Sequence, residues 1–283
     1  MNSAKCELSF QVHDTAVPRP RVSRAHTSHT LRVGTLNVGT LKGRSGEIVE
    51  MLERRCVDLC CLQEVRWRGG STRFLTGKEH RYKIFWAGNT YRVGGVSILL
   101  AEKWVDKVIE VVSVCDRILK IILVPQHGLA TIISAYASQL GLPDGLKDRF
   151  YDTLLQTTSL TNDRDILFVA GDFNGHVGQH SGGFYGVHGG YGFGSHNEEG
   201  TRLLEFCDAN DLMVCKSNFR KPANHLFTYR SGRHTSQIDY ILTRKRERWL
   251  LINAKSFPGE ECTPQHRLVV SDFRIRAKWL RRR

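Results

Sequence analysis

The chain has 283 residues, enough for one large α/β domain or two small ones, and its apolar fraction of 41% is ordinary for a protein with a sizeable core. Lys and Arg number 41 against 28 Asp and Glu, a formal charge of +13 that favours a polyanionic partner, either nucleic acid or an anionic membrane surface. No segment reaches the roughly 18–20 apolar residues that a bilayer span requires. Glu7, Gln11, His13 and Asp14 interrupt any secretory core near the start. The expectation is an intracellular, monomeric protein without membrane insertion, nuclear or cytoplasmic.

Residues 1–30 are polar, with Pro18-Arg19-Pro20-Arg21 in close order, and read as a flexible basic leader. Residues 31–278 read as the folded domain and 279–283 as a basic tail. Patterning predicts a strand at 31–37, a helix at 45–56 with Ser45 as N-cap and Glu47 and Glu50 near its start, and a second strand at 57–62. In that second strand Cys60 and Cys61 point to opposite faces, a poor chelate, so they are read as core thiols in a reducing compartment. Runs at 82–87, 96–100, 108–114, 118–124 and 130–136 are rich in β-branched and aromatic residues and lie close together, which favours antiparallel pairing. A helix is expected at 147–160, then a strand at 166–170 whose unbroken apolar run fits burial on both faces. Residues 181–200 form a loop with eight glycines. A helix capped by Asn197 follows at 197–210, and strands at 212–215, 226–229, 237–242, 250–256 and 268–276 close the chain. About a dozen strands and three or four helices suit two β-sheets packed face to face with helices outside.

Polar residues at the ends of these apolar strands carry the candidate chemistry. Asn37 closes the first strand and Gln63-Glu64 the second. Asp172 and Asn174, in Gly171-Asp172-Phe173-Asn174, follow the buried run at 166–170. Asp239 lies within an apolar strand and His266 precedes a late one. A Mg²⁺ site needs few protein ligands, because the ion keeps water and takes substrate oxygens, so Glu64 helped by Asn37 suffices. Phosphodiester hydrolysis also needs a group that positions or deprotonates water, a task for Asp172. It needs stabilisation of charge on phosphate oxygens, a task for Asn174, Tyr136 and a protonated His266. Asp239 and His266 suit a carboxylate-aimed histidine pair. Singly, an Asp after a strand is usually a turn or cap residue, and a lone His a surface or satisfied core residue. The ordered set of Glu64, Asp172, Asn174, Asp239 and His266 is what points to one centre.

The set resembles the endonuclease/exonuclease/phosphatase superfamily, which includes apurinic endonucleases, DNase I-like nucleases and the endonuclease domains of LINE-type retrotransposons. The matching pieces are Thr35-Leu36-Asn37, Leu62-Gln63-Glu64, Gly94-Gly95-Val96, Ser134-Ala135-Tyr136, Gly171-Asp172-Phe173-Asn174, Ser236-Gln237-Ile238-Asp239-Tyr240 and Gln265-His266. Finer phrases, such as Leu59-Cys60-Cys61-Leu62-Gln63-Glu64-Val65-Arg66-Trp67 and Phe173-Asn174-Gly175-His176-Val177-Gly178, are similar to RTE/BovB-type retrotransposon endonucleases and to craniofacial development protein 2-like proteins. The resemblance implies a four-layer α/β sandwich of the DNase I type that nicks DNA, with Mg²⁺ as cofactor, Mn²⁺ as a substitute, and RNA as the alternative nucleic acid. It implies roles as well. Glu64 matches the metal-ligand Glu, Asn37 the Asn at metal and phosphate, and Tyr136 the phosphate-contacting Tyr. Asp172 matches the water-activating Asp and Asn174 its neighbour at the scissile phosphate. Asp239 matches the carboxylate that orients the catalytic histidine, His266.

Two departures weaken the metal end. The superfamily usually reads Ser-Asp-His where this chain has Pro264-Gln265-His266, and Gln brings no carboxylate charge. Gly39 stands where some relatives carry an acidic side chain. Metal binding is therefore expected to lean on Glu64. Arg66 and Arg68, directly after Glu64, together with Arg92 and Lys245, are the expected DNA contacts. The tracts Arg244-Lys245-Arg246 and Arg281-Arg282-Arg283 suit phosphate contacts or a nuclear address. Tyr185, Tyr191 and Phe193 of the glycine-rich loop suit either base stacking or surface packing. The alternatives are the same fold acting on an RNA tail, an inositol phosphate or a lipid headgroup, and a catalytically weakened nucleic-acid- or protein-binding module.

Overall fold

Two parallel strand pairs, each joined through a helix, set the architecture, because a parallel connection needs a crossover that lies on a sheet face. The computed structural model describes residues 28–124, 129–139, 141–260 and 263–276. Strands β1 (Ser28–Asn37), β2 (Leu59–Gln63), β3 (Gly70–Thr76), β4 (Arg81–Ala87), β5 (Val96–Ala101), β16 (Leu251–Ser256) and β17 (Val269–Arg276) form a seven-stranded sheet in the order β16-β17-β1-β2-β5-β4-β3. Strands β6 (Val108–Cys115), β7 (Ile118–Leu123), β8 (Ala130–Tyr136), β9 (Ile166–Asp172), β12 (Leu212–Val214) and β15 (Asp239–Arg244) form a six-stranded sheet ordered β12-β15-β9-β8-β7-β6. Two small ribbons pair β10 (Val177–Gly178) with β11 (Phe193–His196) and β13 (Tyr229–Ser231) with β14 (His234–Ser236). β1 and β2 are parallel, as are β8 and β9.

Three apolar clusters define four layers. Val33, Leu59, Cys61 and Ile98 of the first sheet meet Ile121, Ile132, Phe168 and Ile241 of the second between the sheets. On the outer face of the first sheet, helix α1 (Ser45–Arg54) seats Ile48, Met51 and Leu52 against Leu36, Cys60 and Leu62. On the outer face of the second, α2 (Asp144–Ser159) and α3 (Glu198–Ala209) bring Phe150, Leu154, Leu203 and Leu204 onto Ile133, Leu167 and Val169. Cys60 and Cys61 fall in different clusters, as strand alternation requires. The four-layer sandwich read from the sequence is the observed fold. Among the described residues no helix is long and apolar enough to cross a membrane.

Several local expectations are corrected. β1 starts at Ser28, three residues before the expected onset; residues 1–27 and 277–283 lie outside the described residues. Ser45 begins α1 rather than capping it: Arg44 holds the cap position without a side-chain capping bond. Strand β3 was not anticipated, since only Leu75 of its seven residues is buried and an exposed edge strand shows no apolar alternation. The strand expected at 226–229 is instead a 3₁₀ turn at Ala223–His225 followed by an irregular segment that reaches β13 only at Tyr229. Asn197 does cap α3, its side chain accepting the Gly200 N–H at 2.9 Å.

Candidate active site

The carboxyl ends of β1, β2, β8 and β9 meet at one rim, where Asn37 pairs with Gln63 and Tyr136 with Asp172 in register. Beneath the rim Gln63 ties the two sheets: within the first sheet its Oε1 accepts from the Thr35 hydroxyl at 3.2 Å, and its Nε2 donates across to Ser134 Oγ of the second at 3.4 Å. At Gly171 the β8 backbone comes so close that a Cβ would sit 1.8 Å from the Ala135 carbonyl oxygen, which explains the glycine beside Asp172.

Asn37 is the joint between the two sheets. Its Nδ2 donates to Glu64 Oε1 at 3.1 Å and to Asp172 Oδ2 at 3.0 Å, while its Oδ1 accepts the Gly39 N–H at 2.9 Å. Gly39 has φ +62°, so the residue that departs from an acidic pattern orients Asn37 through its backbone. Glu64 leaves β2 in a left-handed turn, φ 54°. The Tyr136 hydroxyl donates to Glu64 Oε1 at 2.7 Å and itself accepts from Gln139 Nε2 at 3.1 Å. Arg66 Nη2 pairs with Glu64 Oε2 at 2.6 Å. Burial pushes the Glu64 carboxyl up, but the hydrogen bonds from Arg66, Asn37 and Tyr136 together outweigh it and hold the group below the usual carboxylate range. Burial and the Glu64 charge push the Tyr136 hydroxyl up, so it remains a donor.

Asp172 faces Asp239 across β9 and β15. His266 Nδ1 lies 3.1 Å and 3.3 Å from the two Asp239 oxygens, and its Nε2 lies 3.9 Å from Asp172 Oδ2. That last distance is too long for a hydrogen bond, so both atoms keep capacity for a substrate or water oxygen between them. Burial, reinforced by the Asp239 charge, pushes Asp172 up to about 7, against the opposing pull of His266 and Asn37. Burial alone would lower His266, but the charges of Asp239, Asp172 and Glu64 and the Asp239 hydrogen bond raise it to about 9. Ligand atoms of Asp172, Asp239 and His266 lie within 4.8 Å of one another, a spacing that by distance alone would suit a cation. The heightened proton affinity of Asp172 and His266 instead marks the trio as a proton-handling group. The oxygen donors around Glu64 and Asn37 are the better match to a hard divalent cation.

Asn174 has φ 52°; its N–H donates to Asp172 Oδ1 at 3.0 Å and its Nδ2 to the Ala137 carbonyl at 3.1 Å. A cleft of about 480 Å³ is lined by Asn37, Glu64, Tyr136, Asp172, Asn174 and His266, with Gln265 at the wall, its Nε2 donating to the Tyr229 hydroxyl at 3.3 Å. The seven catalytic and metal candidates therefore converge. His176 and His234 also line the cleft; His176 falls inside the phrase Phe173-Asn174-Gly175-His176-Val177-Gly178, but neither is among the expected site residues.

The basic candidates divide. Arg66 is at the centre, on Glu64. Arg68 donates to the Thr90 carbonyl at 3.2 Å, and the exposed Arg92 stands on the same β4–β5 loop, whose Gly94 carbonyl accepts the Arg66 N–H at 2.9 Å. Lys245 does not join them: it follows the end of β15 opposite Asp239 and pairs with Asp208 at 2.8 Å. Its neighbours in a basic tract say nothing about which strand end they occupy. Tyr185 is 82% exposed, whereas Phe193 packs on Phe227 with ring centroids 5.9 Å apart. Two residues at the site carry no local signal in the sequence: Arg117, whose guanidinium sits 5.0 Å over the Tyr136 ring and donates to the Tyr136 and Ala137 carbonyls, and the buried Lys216.

Solved structures of the same shape carry nuclease names. A 3′-5′ exonuclease from Neisseria meningitidis matches with TM-score 0.64 at 16% identity, over 86% of this chain and 99% of its own. An AP endonuclease from Leishmania major matches with TM-score 0.61 at 12% identity, over 87% and 88%. The endonuclease domain of TRAS1, a telomere-specific non-LTR retrotransposon, matches with TM-score 0.59 at 14% identity, over 87% and 99%. These likenesses show the fold, a DNase I-like sandwich. By sequence, the chain is 31% identical over 249 residues to craniofacial development protein 2 of Bos taurus and 30% identical over 249 residues to that of Tragulus javanicus. Each match covers 87% of this chain but only 41% and 42% of those relatives, so the chain spans about two fifths of their length. No family model matches the chain. The resemblance to the superfamily and to craniofacial development protein 2-like proteins, drawn from motifs, is borne out.

Proposed function

We propose that this chain is a Mg²⁺-dependent phosphodiesterase that nicks DNA. The observation that carries the reading is Asn37, whose one amide holds Glu64 and Asp172 in a single cleft and so joins an oxygen-rich half to a carboxylate–histidine half. The donor chemistry fits a hard divalent cation: Glu64, kept ionised, offers its carboxylate, Asn37 orients that carboxylate through Nδ2 while its Oδ1 accepts the Gly39 N–H, and the Arg66 guanidinium already rests on Glu64 as a positive charge. When bound there, the cation would supply Lewis-acid stabilisation of a phosphate oxygen.

The chain's own groups divide the remaining work. Asp172, with an affinity for protons near neutrality, accepts a proton from the attacking water. His266, kept cationic and aimed by Asp239, donates from Nε2 to a phosphate oxygen as charge builds there. The Tyr136 hydroxyl and the Asn174 amide line the same cleft as further polar contacts for the phosphate. Arg66, Arg68 and Arg92 ring the rim as contacts for flanking phosphates. DNA is favoured as substrate by the charge of +13 and by the likeness to a Neisseria 3′ phosphatase solved with a product DNA hairpin, TM-score 0.62 at 15% identity. The likeness to the TRAS1 domain supports a retrotransposon origin. A chromosomal substrate would place the protein in the nucleus.

The test is conversion of supercoiled plasmid to open circle with Mg²⁺ and with EDTA, run for wild type, Glu64→Ala and His266→Ala, beside a panel of inositol phosphates, lipid headgroups and poly(A). Metal-dependent nicking that both substitutions abolish supports the reading. Turnover of a small phosphoester or poly(A) with intact plasmid would transfer it to another substrate, and no metal-dependent cleavage of any nucleic acid would remove it.

A further inference from the structure

Asp239 and His266 belong to segments 27 residues apart, yet one side chain and its neighbours tie them together. Asp239 opens β15, and the Phe173 N–H donates to the Ile238 carbonyl, which turns the Asp239 N–H away from β9. On that far side β12 reaches only Leu242 before the chain bends into a 3₁₀ turn at Lys216–Asn218. The Asp239 N–H is thus buried beyond the reach of a strand partner. The Thr228 hydroxyl takes it together with the N–H of the residue before: Oγ1 accepts from Ile238 N at 3.0 Å and from Asp239 N at 3.1 Å. The same residue grips the histidine segment. Its carbonyl accepts the Arg267 N–H at 2.7 Å, and its own N–H donates to the Ser236 carbonyl at 2.8 Å. Thr228 is 0% exposed.

The residues around it extend the splint. Tyr229 forms an isolated bridge with His266 and lays its ring 4.8 Å from the imidazole centroid. The Arg230 N–H donates to the Gln265 carbonyl at 2.9 Å, and the Thr263 hydroxyl donates to the His266 carbonyl. From behind, the buried Lys216 ammonium donates to the Leu226 carbonyl and the Ser256 hydroxyl to the Phe227 carbonyl at 2.9 Å. The segment at 226–230 is therefore fixed to both sheets before it touches either functional residue.

We infer that Thr228 is a positioning residue that holds Asp239 and His266 in their hydrogen-bonded geometry, an assignment that rests on the hydrolytic reading of that pair. A hydroxyl is required because two backbone donors converge on one acceptor; a valine of the same shape leaves both unpaired in a dry environment. The consequence is a shift of Asp239 relative to His266, and catalytic geometry tolerates little displacement.

The experiment compares wild type, Thr228→Val and Thr228→Ser. His266 imidazole titration is read by NMR, and plasmid nicking is read at saturating Mg²⁺. Thr228→Val is expected to move the His266 midpoint down by at least one pH unit and to lower kcat roughly tenfold to a hundredfold with KM unchanged, while Thr228→Ser restores both. If Thr228→Val is too unstable to study, Thr228→Cys, a weaker acceptor of similar size, is judged by the same two measurements against Thr228→Ser. A folded Val or Cys variant with a lower melting temperature but the wild-type His266 midpoint and kcat overturns the assignment and leaves Thr228 a fold residue. A wild-type protein whose His266 titrates high, responds to Thr228→Val, and yet cleaves nothing retains the positioning role and loses the hydrolytic one.

Discussion

Asp172 and Asp239 stand opposite each other across β9 and β15 as a non-hydrogen-bonded pair, the strand pairing in which side chains approach most closely. Two carboxylates buried this near do not ionise independently: Asp172 rises to about 7, while His266, beside Asp239, rises to about 9. The working form has Asp172 deprotonated and His266 protonated. Nicking is therefore expected to climb as pH rises through about 7 and to fall as pH passes about 9, with a bound cation drawing the acid limb lower. Asp239→Asn removes the like charge from Asp172 and the partner charge from His266, so both limbs should move to lower pH and the maximal rate should drop by roughly 10²–10⁴-fold. A pH–rate profile with unmoved limbs in Asp239→Asn contradicts this account.

The same shifts make a statement about stability. The folded pKa of Asp172 lies above its ordinary 3.8 and that of His266 above its ordinary 6.5. A group whose folded value is raised stabilises the fold fully below its unfolded value and loses that contribution as pH climbs through the folded one. Asp172 therefore loses its contribution between about pH 4 and 7, and His266 between about 6.5 and 9. In EDTA the melting temperature should fall from pH 6.5 to pH 9.5, and His266→Ala should flatten that part of the curve. Calorimetric scans across the range check it; a parallel slope in the variant would assign the loss elsewhere.

Tyr136 touches the metal half rather than the proton half. Its hydroxyl donates to Glu64 Oε1 at 2.7 Å, and Arg117 stacks over its ring. Tyr136→Phe keeps the packing and deletes one hydrogen bond, so stability should change by only about 1 kcal/mol. Glu64 loses one of the donors that fix its orientation, so the Mg²⁺ midpoint for nicking should rise several-fold and the rate at saturation should fall about tenfold. Metal titration of nicking together with calorimetric Mn²⁺ binding separates the two effects. An unchanged midpoint would confine Tyr136 to substrate contact.

The residues that were legible in the sequence share a cause. Asn37, Glu64, Asp172 and Asp239 each interrupt or end an apolar strand, and a polar group there stands out against a buried run. Asn197 was legible as a cap because capping is local. The missed residues act at long range. Thr228 lies in Leu226-Phe227-Thr228-Tyr229, which reads as a β-strand because it is rich in aromatic and β-branched residues, yet its hydroxyl is spent on backbone ten and eleven residues away. Lys216 reads as a surface lysine and is 1% exposed. Lys245 reads as part of a phosphate-binding tract, but the length of β15 carries it away from Asp239. Strand β3 was invisible because an edge strand with polar faces has no period to detect.

Gln265 bears on the metal half from the cleft wall. Its Nε2 donates to the Tyr229 hydroxyl at 3.3 Å, and the residue lines the same cleft as Glu64, so the shorter Asp at this position still places its charge at that cleft wall. Gln265→Asp adds a negative charge to a site where Glu64 is otherwise the main carboxylate and where Arg66 offsets part of its charge. A cation gains attraction from a second carboxylate in a cleft of reduced dielectric, so the Mg²⁺ midpoint should fall several-fold. The added charge also favours protonated His266, so the alkaline limb of the pH–rate profile should move upward rather than downward. Arg66→Ala provides an independent check, since removing a competing cation from Glu64 should lower the metal midpoint while weakening DNA binding and reducing its salt dependence by about one ion. Calorimetric Mn²⁺ binding to both variants, without DNA, reads the metal effect alone. An unchanged isotherm for Gln265→Asp would mean that residue 265 does not face the cation, and metal affinity would then rest on Glu64 and its donors.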